Sequence, residues 1–307
     1  MKILLTGGTG FVGEHLKDRL MNEGNCDIVL LQRFPSLLRE SLHQYIYHDF
    51  RAELPERVLN GLMGVDAVIH LGAEVHGLRS LDDPELFVHT NTLGTFNILE
   101  AVRKIKPKKF IYVSSAEAVG NASSPQSWLE DATLNPSNPY AAAKAAGEML
   151  TQSYARSFGV PALIVRTMNI FGEGQKTGKF IPDTIKKILA GETINLHVSS
   201  EGRSGSRQWL HVREFVNAMY FLLHNGRAGE TYHVVGSEKT NEEVVDIIGL
   251  SLGIPWKQKC VVPGSSHDVR YSIKDTKLST DAYRTDTFRE DLETTTKWYK
   301  AHQEYLR

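Results

Sequence analysis

Thr6-Gly7-Gly8-Thr9-Gly10-Phe11-Val12-Gly13 follows a short apolar run at 2–5 and opens an amphipathic stretch at 12–23. Strand, glycine turn and helix in that order form the first unit of a parallel α/β sheet. Gly7, Gly10 and Gly13 have the spacing GxxGxxG. Glycine accepts positive φ in such a turn and lets backbone N–H groups approach a pyrophosphate. The helix behind it adds the partial positive charge of its N-terminus. The last glycine permits helix and strand to pack closely. A dinucleotide site built on Gly7, Gly10, Phe11, Val12 and Gly13 is therefore expected.

Working outward from this loop, short runs rich in Ile, Val and Leu recur at 27–31, 45–48, 66–71, 109–113 and 162–166. They lack the polar alternation of half-exposed strands, which predicts parallel strands covered on both faces. Helical stretches at 54–61, 84–105 and 140–158 lie between them. The β-α-β order predicts an α/β fold: a doubly wound parallel sheet of the Rossmann type, over residues 1–168. After about Arg166 the pattern loosens into Gly-, Ser- and charge-rich loops, with helices expected at 181–190 and 241–252. This half, 169–307, is expected to form a smaller α/β lobe. A helix at 213–223 and a strand at 230–235 suggest that a segment near 212–236 returns to the first domain. The crevice between the lobes, at the carboxyl ends of the strands, is the expected binding site.

Hydrophobic residues make up 41% of the chain and charged residues 23%, as in an ordinary globular core. The formal net charge of −1 gives no electrostatic case for nucleic acid or an anionic membrane. No apolar run approaches the roughly 20 residues a membrane helix needs. The two cysteines, Cys26 and Cys260, make no CxxC pair and no disulfide framework, so no metal site and a reducing cytoplasm are expected.

The end of the second strand chooses between cofactors. An acid roughly 20 residues after the glycines meets the ribose 2′-hydroxyl in this class of domain. Here Gln32-Arg33 stands in its place. Arg33 would attract a 2′-phosphate, so NADP is expected, with NAD as the alternative. Asp49 and Phe50, after the third strand, are placed at the adenine edge.

Tyr140 and Lys144 are four apart in an alanine-rich stretch that follows Pro139, so one helix face carries both. An ammonium beside a phenol favours the phenolate, and the tyrosine could then serve as a base. Ser114-Ser115-Ala116-Glu117 closes the strand at 109–113, at the crevice edge. A serine there can hydrogen-bond a substrate hydroxyl, and a carboxylate can move a proton on carbon.

With these residues in place, the chain resembles the extended short-chain dehydrogenase/reductase family over nearly its whole length. The resemblance is carried by the glycine loop, His70-Leu71-Gly72-Ala73, Asn91-Thr92-Leu93-Gly94-Thr95, Ser114-Ser115 and Tyr140-xxx-Lys144. The second half adds Asn169-Ile170-Phe171-Gly172, Ser206–His211 and His267-Asp268-Val269-Arg270-Tyr271. With His76-Gly77-Leu78-Arg79-Ser80, these are most similar to nucleotide-sugar 4,6-dehydratases. The resemblance implies that Ser115, Tyr140 and Lys144 serve hydride transfer and Glu117 is a base. It implies that Leu71, Gly72 and Ala73 line the cofactor. It also implies that His76, Arg79, Ser80, Asn169, Arg207 and Arg270 meet a nucleotide-diphosphate sugar, and that a homodimer pairs through 84–105 and 140–158.

The chain departs from the family in three places. Ala116 replaces the acid that precedes the glutamate in the glucose-type enzymes, Val119 replaces a tyrosine, and the polar stretch 198–206 is longer. The expected reaction is 4,6-dehydration: oxidation at C4, loss of water across C5–C6, and hydride return to C6. A 4-keto-6-deoxy-sugar reductase and a 4-epimerase are the alternatives. Decarboxylation of a sugar acid and a non-catalytic redox sensor stand further off.

Overall fold

The computed structural model describes residues 1–22, 24, 26–34, 43–123, 125–198, 202, 204–262, 270–278, 283 and 287–307. His267, Asp268 and Val269, and residues 199–201 and 203 of the long polar stretch, lie outside the described residues.

Seven parallel strands form the main sheet. In chain order they are β1 (Lys2–Thr6), β2 (Asp27–Gln32), β3 (Gln44–Tyr47), β4 (Ala67–His70), β5 (Lys109–Ser115), β6 (Ala162–Thr167) and β10 (Thr231–Val234). Across the sheet they run β3-β2-β1-β4-β5-β6-β10. Side chains alternate between the two faces with a period of two. Ile3, Leu5, Ile28 and Leu30 point to a layer made by α1 (Phe11–Asn22) and α8 (Val212–Asn225), through Leu16, Leu20, Phe215 and Met219. Leu4, Val29, Val68 and Phe110 point the other way, to α2 (Glu56–Leu62), α5 (Gly94–Ile105) and α6 (Pro139–Phe158). Covered on both sides, the inner strands can be apolar throughout, which is why their runs lack alternation. Edge strand β3 has no fully buried residue.

A second sheet joins β7 (Ile170–Phe171), β9 (Ser206–His211) and β11 (Ser237–Thr240), while β8 (Thr193–His197) pairs with β12 (Lys257–Val261). Around them pack α7 (Phe180–Leu189), α9 (Asn241–Leu252) and α10 (Phe288–Ala301), through Phe171, Ile185, Trp209, Val244 and Tyr299.

The helix expected without interruption over 84–105 is not uniform. After the short helices α3 (Arg79–Asp82) and α4 (Pro84–Phe87), a π-helical turn widens the chain at Val88–Leu93 before α5 begins. Side-chain bonds accompany this turn. The Asn91 amide clamps Glu74 in both directions, accepting from its N–H and donating to its C=O, each at 2.9 Å. Thr95 Oγ1 donates to the Asn91 carbonyl at 2.7 Å. Turns of this kind are frequent at functional sites.

Helix α6 carries the reactive face and is fastened along its length. Asn138 caps it, accepting from Ala141 N at 2.8 Å, and Pro139 occupies the first turn. Two turns further, Glu148 forms a buried ion pair with Arg166 of β6, the two side chains being 0% and 3% exposed. Arg166 Nε and Nη2 both reach the carboxylate, at 2.8–3.1 Å, and Nη1 donates to the Glu130 carbonyl at 3.2 Å. Removing one partner of such a pair strands a buried charge. Arg166→Leu is expected to lose about 3–5 kcal/mol of stability in chemical denaturation, and Glu148→Leu in the same chain to restore much of it. An Arg166→Leu chain as stable as the parent would contradict the role given to the pair.

Candidate active site

The glycine loop is held by close packing and by a chain of hydrogen bonds. Gly7 has φ +69°, and a β-carbon there would lie 2.8 Å from the backbone N of Gly72. A β-carbon on Gly13 would stand 2.2 Å from the Gly7 carbonyl oxygen. Beneath the loop, Gly72 N–H donates to Thr6 Oγ1 at 3.0 Å. Thr6 Oγ1 meets His70 Nδ1 at 2.6 Å, and His70 Nε2 meets Thr95 Oγ1 at 3.1 Å. Burial pushes the His70 imidazole down to about 3, with the Lys144 charge adding to it, so the ring is neutral. A neutral ring fits one consistent order: Thr6 donates to Nδ1, Nε2–H donates to Thr95, and Thr95 donates to Asn91. Nothing in the motif spacing pointed to this relay.

The described residues fit a dinucleotide. Buried side-chain atoms without a hydrogen-bond partner include Gln32 Nε2, Ser114 Oγ and Thr167 Oγ1, at the carboxyl ends of β2, β5 and β6. Thr90 Oγ1 in the π turn and Asn169 Nδ2 just past β6 are also without one. Buried polar groups in native proteins are nearly always paired, so a row of orphans along one edge of a parallel sheet marks a ligand track. Arg33 is exposed. Asp49 is tied to Arg51, with Oδ2 2.6 Å from Nη2. Burial works against the Asp49 carboxylate, but the Arg51 bonds and the charges of Arg51 and Arg33 hold it below its usual range. The ring of Phe50 is a core group, 9% exposed, against Gly72 and Gly94. The ring is therefore not free to meet an adenine edge.

Ser115, Tyr140 and Lys144 come together at the carboxyl end of β5, all nearly buried at 5%, 8% and 4% exposure. The Ser115 hydroxyl stands beside the Tyr140 phenol and favours its ionisation. It also accepts from Glu117 N at 3.1 Å, which turns the chain into the short 3-10 helix Ala116–Val119. Glu117 Oε2 accepts from Asn138 Nδ2 at 3.1 Å, so the residue that caps α6 also aims the carboxylate. Lys144 Nζ donates to the Val113 carbonyl at 2.6 Å and lies 4.3 Å from the centre of the Tyr112 ring.

The charge states differ from the sequence expectation. Burial, and then the negative charge of Glu117, push the Tyr140 phenol far above its ordinary value, with Ser115 pulling the other way. Burial pushes the Lys144 ammonium down to about 7, with Glu148 opposing. Burial thus works against the phenolate that the Tyr140–Lys144 spacing favours.

The substrate side also departs from expectation in part. Ser80 is 0% exposed. Its hydroxyl donates to the Gly77 carbonyl at 2.5 Å and accepts from Tyr140 N at 3.1 Å. It therefore positions the first turn of α6 rather than facing the crevice. Arg79 is exposed and 3.7 Å from Glu74. His76 is half-buried and meets the turn before α7, where Gly178 lies against its ring. Asn169 holds a strained φ of +42°. The Arg207 guanidinium lies 5.0 Å from the centre of the Tyr271 ring. Arg270 grips Glu238, with Nε–Oε1 at 2.6 Å and Nη2–Oε2 at 2.8 Å, and its Nη1 reaches the Gln126 carbonyl at 2.5 Å. Sequence reasoning missed Lys179, which comes from the second lobe and places Nζ 2.6 Å from the Val75 carbonyl, beside this group.

Comparison with known proteins bears on this arrangement. Residues 3–235 match the NAD dependent epimerase/dehydratase family. A dTDP-glucose 4,6-dehydratase of Streptomyces niveus is 32% identical over 98% of this chain and 93% of its own length. The crystal structure of DesIV, a dTDP-glucose 4,6-dehydratase from Streptomyces venezuelae with NAD bound, superposes with a TM-score of 0.90, covering 100% of both chains at 30% identity. The dTDP-glucose 4,6-dehydratase of Bacillus anthracis, in complex with NAD, gives 0.86 at 27% identity, again over 100% of both chains.

Because a β-carbon at Gly7 would press on the Gly72 backbone, Gly7→Ala is expected to weaken dinucleotide binding at least about tenfold, roughly 1.4 kcal/mol, by calorimetric titration. Unchanged affinity would show that the loop is not the pyrophosphate site.

Proposed function

The chain belongs to the NAD dependent epimerase/dehydratase family, and from that premise we propose that it is a nucleotide-diphosphate-sugar 4,6-dehydratase that uses NAD, with dTDP-glucose as the first substrate to test. The observation that carries the proposal is the Glu117 carboxylate, held by Asn138 and close enough to the Tyr140 phenol to raise it. Hydride transfer alone needs Tyr140, Ser115 and Lys144. A carboxylate aimed at the same point has a use when a proton must also leave carbon. For that reason dehydration is preferred to 4-epimerisation or to simple reduction.

Gly7, Gly10 and Gly13, the end of β2, and Thr90, Ser114 and Thr167 would hold the cofactor. When bound, a nicotinamide supplies a hydride acceptor, a positive charge in its oxidised form, and later a hydride donor. Tyr140 accepts the proton of the sugar 4-hydroxyl, with Ser115 orienting the oxygen. The positive charge of Lys144, joined by that of the oxidised ring, offsets the burial that keeps the phenol neutral. The new C4 ketone acidifies the C5 proton. Glu117 takes that proton as the C6 oxygen departs, and later returns a proton to C5. Arg207 and Asn169 are assigned to the diphosphate and nucleotide. Arg270, engaged by Glu238, braces the adjoining loop.

NAD, rather than the NADP suggested by Arg33, follows from the local charges. Gln32 Nε2 is buried without a partner and can donate to a 2′-hydroxyl. Asp49, kept ionised by Arg51, faces Arg33 and would repel a 2′-phosphate. The DesIV and Bacillus anthracis enzymes, solved with NAD, support the same choice. A dimer through α5 and α6 is proposed on the exposed apolar side chains Leu93, Phe96, Met149 and Phe158, 39–57% exposed; light scattering at the mass of a single chain would contradict it.

Incubation with dTDP-glucose and other nucleotide-diphosphate sugars in deuterated water, with no reduced cofactor added, is expected to yield a product that has lost one water and gained solvent deuterium at C5. Competing titrations are expected to give tighter binding of NAD than of NADP. No loss of mass on any sugar would overturn the dehydratase assignment, and tighter NADP binding would overturn the cofactor.

A further inference from the structure

Lys144 carries its ammonium into a place that opposes charge. The residue is buried. Among the described residues its Nζ makes one hydrogen bond, to the Val113 carbonyl at 2.6 Å, and no ion pair. The carboxylate that acts on it, Glu148, is already paired with Arg166 at 2.8 Å. A buried ammonium without a counter-charge tends to give up its proton. Something else must favour the charged form if Lys144 is to assist the Tyr140 phenol.

We propose that the Tyr112 ring is a positioning group for the reaction: its π face holds the Lys144 ammonium charged and in place beside Tyr140. The proposal rests on the hydride-transfer role given to Lys144 under the dehydratase reading. Nζ lies over the ring, 4.3 Å from its centre. An aromatic face carries negative charge density and attracts a cation at this range, most strongly where water is excluded. Tyr112 is 0% exposed. Helix α6 fixes the ring in two ways. The Tyr112 hydroxyl donates to the Lys144 carbonyl at 3.2 Å. Gly147 makes room for it, because a β-carbon there would stand 2.1 Å from that hydroxyl oxygen. Glycine is unfavourable inside a helix, and here the phenol fills the space of its missing side chain. Burial, and then the charge of Glu148, push the Tyr112 phenol well above its ordinary value, so the ring stays neutral.

A neutral ring does what a carboxylate could not. A carboxylate against Lys144 would also hold the ammonium, but it would cancel the charge and repel a phenolate at Tyr140. The ring leaves the charge of the lysine available to the phenol. The other ionisable groups around Lys144 are Tyr140 and Glu148 on its own helix and His70 on β4, which burial keeps neutral. Burial draws the ammonium down to about 7. The ring works in the opposite direction. The ammonium is present below its midpoint and lost as pH rises through it, so the ring extends the charged range upward.

The test compares Tyr112→Phe with Tyr112→pentafluoro-Phe in the full chain. The two rings are similar in size and both lack the hydroxyl, but fluorine reverses the charge of the face. The Lys144 amine is followed by nitrogen NMR as pH rises, its signal assigned by its loss in Lys144→Arg. The midpoint in Tyr112→Phe is expected to stay near that of the parent, and in Tyr112→pentafluoro-Phe to fall by about one unit or more. The rate at which dTDP-glucose reduces bound NAD should fall off at a correspondingly lower pH in the fluorinated chain. Equal midpoints in the two variants would show that the face plays no part and would overturn the proposal. So would a shifted midpoint with an unchanged rate profile. In the parent, the ring current should move the Lys144 ε-proton signals upfield; unshifted signals would overturn the proposal independently of any change at position 112. The NMR arm needs no turnover. The expected midpoints in a parent that never reduces NAD would therefore leave the hold of the ring on Lys144 standing and overturn the reaction assigned to the site.

Discussion

Helix α6 is fastened at three levels, and the placement of the Tyr140 phenol, the Lys144 ammonium and the Glu117 carboxylate depends on that attachment. At its first turn the Tyr140 amide is held by Ser80 and the cap is Asn138. One turn on, Lys144 is tied to the Val113 carbonyl of β5. Another turn on, Glu148 is locked to Arg166 of β6. Buried polar contacts of this kind add less net stability than their geometry suggests, but they leave few alternative placements. Here they set the phenol, the ammonium and, through Asn138, the Glu117 carboxylate against one point at the strand ends. Preorganised groups of that kind need no rearrangement when charge develops.

The electrostatics of the site complement this rigidity. A buried phenol beside a carboxylate resists ionisation, and a buried ammonium loses its proton more readily than it would in water. Burial thus weakens positive charge where chemistry at a 4-hydroxyl needs it. A bound oxidised nicotinamide would supply that charge, which couples the acid–base function of Tyr140 to cofactor occupancy. His70, neutral and bonded on both sides, keeps the glycine loop and the π turn in register without adding charge of its own.

Much of this was legible in the sequence, because it depended on local order. The glycine turn between strand and helix, the fully apolar strand runs, and the Tyr140–Lys144 spacing all follow from periodicities of a few residues. What was not legible involved partners far apart in the chain. Ser80 looked like a substrate contact, but it is 60 residues from the Tyr140 amide that it holds. Arg270 reads as a phosphate ligand from its motif, and its ion pair with Glu238, 32 residues away, was not legible there. Lys179 lies 104 residues from the carbonyl that anchors it. The ring of Phe50 belongs to the core because Gly72 and Gly94 leave room for it. The spacing of Tyr140 and Lys144 likewise carries no information on burial, a property of the assembled fold that opposes ionisation of the phenol.

The central claim is that one site oxidises a sugar at C4 and returns the same hydride to C6. It is tested most directly with dTDP-glucose carrying deuterium at C4, followed through to the position of the label in the product. The account predicts that the deuterium appears in the C6 methyl group of a 4-keto product, with no label released to solvent. Deuterium retained at C4 would point to epimerisation, and deuterium lost to free cofactor would point to net oxidation; either result would contradict the account.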